Sequence, residues 1–389
     1  MAGSPPASAN RCNVECAIGR GGSQPCQNIH LETPNSQYHG ETDITNIAKT
    51  TVGQLGCGYW GRNLLRVLTQ ADDVDVRRVI DGAPAAVEHV NSRYPGLETS
   101  PDEAVLFDDD DVDAVVIATP AADHYRAARK SLQSGKHTFV EKPLAMNTAE
   151  AEALVSLADE KKLVLMAGHT FLYNSAVQEI KNLIDSGDLG KIYYIYSRRM
   201  NLGTVRQDVN VLWNLAPHDI SIINYWLDDE ATSAAATGGT FLQKGIEDVV
   251  FATLSFDSGA VANIHLSWLD PQKVRTMTVV GSKKMVVFDD VSADARLTIH
   301  HKGVDITPGQ ISANPFETFG QFQVAHRHGD TVIPRIPYPE PLVQEMKHFI
   351  QCIREGTEPR TGGQHAISVV RSLEMVQACL DENRSRLTA

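Results

Sequence analysis

The chain is poor in cysteine, short of positive charge relative to negative, and without any long apolar run. Its six cysteines in 389 residues are too few and too scattered for a disulfide framework. The expected location is therefore a reducing compartment, the cytoplasm. No stretch approaches the ~18 consecutive apolar residues that a membrane helix needs, and residues 1–25 lack the continuous apolar segment of a secretory leader. Lys and Arg total 35 against 48 Asp and Glu, a net charge of −13. A general grip on nucleic-acid phosphates or on an anionic bilayer would work against that field, so neither is an expected partner. What remains is globular: 42% hydrophobic and 21% charged residues in 42.5 kDa, enough chain for two domains of about 100–200 residues each.

Residues 1–48 are rich in Gly, Pro, Ser, Asn and Gln and carry neither a helical nor a strand period, which reads as a flexible extension. Cys12, Cys16, Cys26 and His30 fall in a C-x3-C-x9-C-x3-H pattern whose residue types suit zinc, but the spacing matches no standard finger. No metal site is assigned. From Thr51 the pattern becomes β-rich runs alternating with helical stretches, the grammar of a parallel sheet wound by crossover helices. Candidate strands are 51–55, 75–80, 114–119, 137–141 and 163–167, and a helix follows Asn147, where Asn147 and Glu150 stand at capping-box spacing. The run Asp108 to Asp113 is read as a solvated acidic connection ahead of a strand. After Phe171 the grammar changes to antiparallel strands at 191–199, 248–256, 261–268, 275–280 and 285–289, joined by turn sequences such as Asp257-Ser258-Gly259. Two helices, 341–355 and 364–383, close the chain; the first has Leu342, Met346, Phe349, Ile350 and Ile353 on one face.

Gly56-Cys57-Gly58-Tyr59-Trp60-Gly61 matches G-x-G-x-x-G, a short pattern whose meaning depends on context. Here a strand ends at Leu55, a helix is expected from near Tyr59, and Asp81 closes the next strand 25 positions after Gly56. That is the arrangement of a dinucleotide site: Gly56 for the tight turn, Gly58 for close approach of a pyrophosphate, and Gly61 for helix packing. Asp81 is expected on the adenosine ribose diol, which favours NAD; Arg77 and Arg78 nearby leave NADP open. Thr119-Pro120 ends another strand at the edge where ligands of such sheets bind, making both cofactor candidates. His124, at the start of the following helix, is either a cofactor contact or a packing histidine.

His137-Thr138-Phe139-Val140-Glu141-Lys142-Pro143 places a strand directly before Glu-Lys-Pro, so Lys142 and Glu141 project toward the same crevice. With Gly56 to Gly61, Thr119-Pro120 and the later Asn214-Leu215-Ala216-Pro217-His218-Asp219, the chain resembles the glucose-fructose oxidoreductase, inositol dehydrogenase and rhizopine-catabolism (Gfo/Idh/MocA) family over residues 50–385. The resemblance implies an α/β protein with a Rossmann dinucleotide-binding domain, 49–170. A C-terminal α+β domain follows, 171–389, on an open, mostly antiparallel sheet that floors the active site and often joins protomers. It also implies a pyridine nucleotide, a sugar or cyclitol substrate, and a homodimer or homotetramer. Many members have Asp four positions before the catalytic His, where this chain has Asn214, which hydrogen-bonds but cannot raise a histidine's pKa by charge. Asn214, with 199–203 and 211–213, is similar to members that act at carbon 3 of nucleotide-linked sugars such as UDP-N-acetylglucosamine.

Oxidising a secondary alcohol requires a hydride to leave carbon while the hydroxyl loses its proton, and the oxygen then needs a cation or donor. The expected catalytic residues are His218 as base and Lys142 as electrostatic partner, with exchanged roles open. Asp219 is expected to cap a helix starting near Ile220. Tyr173 either lines the sugar pocket or packs between domains. Arg199 and Arg206 either meet a diphosphate or are exposed strand charges. A dinucleotide sensor without catalysis is the competing class, disfavoured by retention of both Lys142 and His218.

Overall fold

The computed structural model describes residues 49–305 and 325–388. The extension 1–48 and its Cys12, Cys16, Cys26 and His30 lie outside the described residues. Six strands, β1 (Thr50–Leu55), β2 (Val74–Ile80), β3 (Glu98–Ser100), β4 (Ala114–Ile117), β5 (His137–Glu141) and β6 (Leu165–Gly168), form a parallel sheet in the order 3-2-1-4-5-6. Helices α1 (Gly61–Gln70), α2 (Pro84–Arg93), α3 (Ala104–Phe107), α4 (His124–Gln133) and α5 (Thr148–Lys161) connect them. The order reverses direction between β1 and β4, so the loops at their carboxyl ends part and leave a crevice there. The sheet is covered on both faces, which is why its central strands read as unbroken apolar runs, all four residues of β4 being buried.

Helix α5 starts where the sequence pattern places it: Asn147 Oδ1 accepts from Glu150 N at 2.8 Å. The expected strands agree with β1, β2, β4, β5 and β6 to within a residue or two. β3 has only three residues and no apolar alternation to announce it.

The second part opens with α6 (Ser175–Asp185) and builds an eight-stranded sheet from β7 (Ile192–Met200), β8 (Ala231–Gly239), β9 (Val249–Phe256), β10 (Val261–Ser267), β11 (Val274–Gly281), β12 (Met285–Asp289), β13 (Leu297–His300) and a two-residue strand at Thr331–Val332. Every pairing is antiparallel except β7 with β10. The helices α7 (Val211–Leu227), α8 (Pro341–Glu355) and α9 (Gly363–Thr388) complete the chain. Alternation along β7, β9 and β10 turns Ile195, Val250, Ala252, Ala262 and Ile264 inward and leaves Tyr194, Phe251 and Val261 exposed on the other face.

α7 departs from expectation. The sequence places a helix start near Ile220, with Asp219 as its cap. Instead Asn210 caps the helix, its side chain accepting from Trp213 N at 3.2 Å, and the helix runs through Pro217. Asp219 therefore sits in mid-helix and caps nothing. A proline inside a helix cannot donate to the carbonyl four residues back, here Trp213. That local loss of helical donors falls in the turn that receives Lys142.

Candidate active site

The glycine loop is held by backbone proximity. Gly56 has φ +92°, and a Cβ there would stand 2.6 Å from the Ala118 carbonyl oxygen; one on Gly61 would stand 2.4 Å from the Gly56 oxygen. Neither position admits a side chain without displacing backbone. Gln54, fully buried, donates to the carbonyls of both, at 2.8 Å each. Gly58 is different: a Cβ would meet nothing within 4 Å, so its face is open to a ligand. Asp81 accepts Cys57 N at 2.7 Å through Oδ2 and Ala83 N at 2.8 Å through Oδ1. Its carboxylate keeps lone pairs for a diol. Arg77 and Arg78 are both engaged with Asp109, and also with Asp111 and Glu98 respectively, so neither is a free clamp for a 2′-phosphate.

At the β4 terminus Thr119 lines the cleft with a buried hydroxyl that has no partner in the protein. Such an orphaned group, beside an open glycine face and the free amides of a helix start, fits a dinucleotide. Pro120 is exposed on the turn beyond Thr119 and does not line the cleft. His124 packs as a staple at the cleft wall. Nδ1 lies 2.7 Å from the Pro143 carbonyl and Nε2 2.9 Å from the Thr119 carbonyl, so the ring ties the β4 and β5 loops together and has no nitrogen left over. Tyr59 stands almost fully exposed at the loop tip, while the Trp60 indole donates to Glu141 and fastens the loop to the β5 terminus.

Lys142 and His218 line one cleft of about 620 Å³ between the carboxyl edge of the parallel sheet and the second sheet. Lys142 Nζ donates to the Asn214 carbonyl at 2.9 Å, in the helical turn opened by Pro217. Burial lowers the lysine pKa to about 8, against the attraction of Glu141, with Arg206 and Arg199 lowering it further. Burial likewise raises Glu141 to about 7, opposed by Lys142. His218 is driven well below the ordinary histidine range, first by burial and then by Lys142, Arg199, His169 and Arg275. It is a neutral imidazole whose Nδ1 is buried without a partner.

The structure bears on the sequence expectations for the pocket wall at Arg199, Tyr173 and Asn214. Arg199 is not an exposed strand charge: it lines the cleft while Nε and Nη2 donate to Asp219 Oδ1 at 2.9 and 2.7 Å, with both side chains buried. It stacks 4.6 Å over Phe171, whose ring meets His218 edge-on at 5.0 Å, so Asp219 and Arg199 act by bracing the imidazole's neighbour. Tyr173 does not line the cleft; it is buried, with its hydroxyl 2.7 Å from His348 Nδ1. Asn214 does line it, and its Oδ1 accepts from Trp268 Nε1 at 3.2 Å. Arg206 also lines the cleft while forked onto Asp208.

Sequence reasoning missed Phe171, Arg275 and Glu345. Arg275 was hidden by its place on an ordinary-looking strand. Glu345 is fully buried on α8, accepting from Thr170 Oγ1 at 2.7 Å, and burial together with Glu141 raises its pKa well above the carboxylate range. Its signal was present: position 345 lies three after Leu342 and four before Phe349, on the apolar face.

Comparison with known proteins agrees with this architecture. Residues 50–169 match the oxidoreductase family with an NAD-binding Rossmann fold, and residues 177–287 match the GFO/IDH/MocA C-terminal domain. The chain is 28% identical over 261 residues to the UDP-N-acetylglucosamine 3-dehydrogenase of Acidithiobacillus ferrooxidans, covering 66% of this chain and 79% of that one. It is 26% identical over 321 residues to the scyllo-inositol 2-dehydrogenase (NAD(+)) of Bacillus subtilis, 79% of this chain and 86% of that one. To the 4-carboxy-2-hydroxymuconate-6-semialdehyde dehydrogenase of a Sphingobium strain it is 25% identical over 338 residues, 84% and 98% of the two chains. A solved structure of the A. ferrooxidans UDP-N-acetylglucosamine 3-dehydrogenase superposes with a TM-score of 0.69 at 23% identity over 85% of this chain and 97% of that one, which bears on the fold alone. The chain belongs to the GFO/IDH/MocA family of oxidoreductases and binds NAD through its Rossmann fold.

Proposed function

We propose that the protein oxidises a secondary alcohol of a sugar, at carbon 3 of a nucleotide-linked sugar, with Lys142 and His218 as the catalytic pair. The observation that carries this reading is that one cleft is lined by Lys142, whose Nζ donates to the Asn214 carbonyl, and by His218, whose buried Nδ1 has no partner; burial lowers the pKa of both groups. Neutral His218 accepts the hydroxyl proton, and the Lys142 ammonium stabilises the oxygen as it gains negative charge. NAD, when bound at the glycine loop, supplies the hydride acceptor. Asn214 offers its amide N–H groups to the substrate, since its Oδ1 is held by Trp268.

Each group supplies a definite share. General-base assistance contributes about 10²–10⁴ in rate. A correctly placed donor to a developing oxyanion contributes about 10²–10³.

The similarity to an inositol dehydrogenase favours a second reading, oxidation of a free cyclitol. Absorbance of reduced nicotinamide with a panel of nucleotide sugars, free sugars and cyclitols separates the two. Turnover of UDP-N-acetylglucosamine or a congener supports the first reading, turnover confined to cyclitols supports the second, and no turnover in either direction refutes both and returns the sensor. Exposure of Tyr194, Phe251 and Val261 on the outer face of the second sheet supports a homo-oligomer, and sedimentation equilibrium tests it.

A further inference from the structure

Arg275 faces Arg199 directly across the β11–β7 ladder. Like charges opposite one another in a sheet are destabilising unless each is answered. Arg199 is answered by Asp219 at 2.7 Å in a buried pair. Arg275 is not answered to the same degree: among the described residues its side chain makes a single hydrogen bond, Nη1 to Asp290 Oδ2 at 3.4 Å, at the long limit of such a contact. A guanidinium has five N–H donors in a planar fork, so most of this one's capacity is unspent. The side chain remains 38% exposed and lines the cleft with Lys142, His218 and its own partner Asp290. Arg206 lines the same cleft from the loop before α7.

Resting on the reading of this cleft as an alcohol-oxidising site, we propose that Arg275 holds an anionic oxygen cluster of the substrate away from the reacting carbon, Arg206 being spent on its fork with Asp208. The recognised chemistry is that of an oxyanion, phosphoryl or carboxylate, for which a guanidinium fork gives bidentate geometry. The enzyme's substrates would then be acidic sugars as a class, with Arg275 as the residue that selects them. The same guanidinium disfavours protonation of His218, so an anion bound there would ease that repulsion.

Matched substrate pairs test this in the full-length protein with NAD: N-acetylglucosamine against its 1-phosphate and its UDP conjugate, and glucose against glucuronate. The anionic member of at least one pair should show a kcat/KM ten-fold or more above its neutral partner. In Arg275→Gln that preference should fall at least ten-fold, chiefly through KM, with Arg275→Lys intermediate. The phosphate and carboxylate arms identify the source of the oxyanion. Equal use of charged and neutral members by the wild type, or equal losses on both in Arg275→Gln, overturns the proposal. Should no sugar turn over, the catalytic reading fails by itself, and calorimetric titration of UDP, inorganic pyrophosphate and glucuronate into the NAD complex decides the site. Binding weakened ten-fold or more in Arg275→Gln upholds it, and binding absent from the wild type or unchanged in the variant overturns it.

Discussion

Replacing Asp219 with Asn should destabilise the fold by about 3 kcal/mol or more, because it strands the Arg199 guanidinium where water cannot reach it. Nε and Nη2 of Arg199 both donate to one Asp219 oxygen, at 2.9 and 2.7 Å, and the two side chains are 6% and 1% exposed. Removing one member of a buried pair costs about 3–5 kcal/mol, most of it the penalty of the charge left behind. Asparagine keeps an acceptor oxygen, which places the loss toward the lower end. In urea, the midpoint should fall with the slope unchanged. The companion variant, Asp219→Asn with Arg199→Met, removes the stranded charge and keeps an unbranched side chain against Phe171, so it should recover most of the loss. Because Arg199 packs on Phe171 and Phe171 on His218, the single variant should also lose turnover beyond its unfolded fraction. A cost under about 1 kcal/mol for Asp219→Asn, or a double variant no more stable than the single, would refute the reasoning.

The glycine loop makes a contrast in one assay. Gly58→Ala should fold like the wild type yet bind NAD at least ten-fold more weakly by fluorescence titration, whereas Gly61→Ala should lose about 1–3 kcal/mol of stability because its methyl meets a backbone oxygen. Asp81→Ala should raise the NADP:NAD ratio of kcat/KM at least ten-fold, and an unchanged ratio would remove Asp81 from the ribose site. Glu345 gives a stability test with a definite sign. Its folded pKa is raised, so its contribution is fully present below the unfolded carboxyl value of about 4.3 and is lost as pH rises toward the folded value. Glu345→Gln, which keeps a neutral group in that place, should therefore gain in Tm relative to wild type between pH 6 and pH 9, and a constant difference across that range would contradict a neutral Glu345.

Much of the first sheet was legible because a parallel strand covered on both faces reads as an apolar run, and because Gly56 and Gly61 stand where a side chain would meet backbone. β8 was not: Ala231–Gly239 is alanine and glycine with little β propensity, and it forms through pairing with β9. The helix start expected near Ile220 lies inside α7, which runs on through Pro217. Inside a helix braced by tertiary contacts it is only an interruption, and here it adjoins the seat of Lys142. The catalytic pair was named from short motifs, while the groups that support it were beyond local reading. Arg199 and Asp219 are 20 positions apart, and Phe171 touches both Arg199 and His218 from a third segment. Of the two places open to Tyr173 the packing one holds, because the turn Thr170–Tyr173 sends Phe171 to the cleft and Tyr173 to α8.

The pH dependence of kcat/KM for alcohol oxidation, in the wild type and in Lys142→Arg, tests most directly whether the ammonium and the neutral imidazole have the parts assigned to them. With Lys142 titrating near 8, the wild-type rate should fall as pH rises through that value. In Lys142→Arg, whose cation persists at any accessible pH, the residual activity should show no such fall. A rate that instead climbs through pH 8 in the wild type, or a basic limb that survives unchanged in Lys142→Arg, would make the lysine the base or remove it from the chemistry.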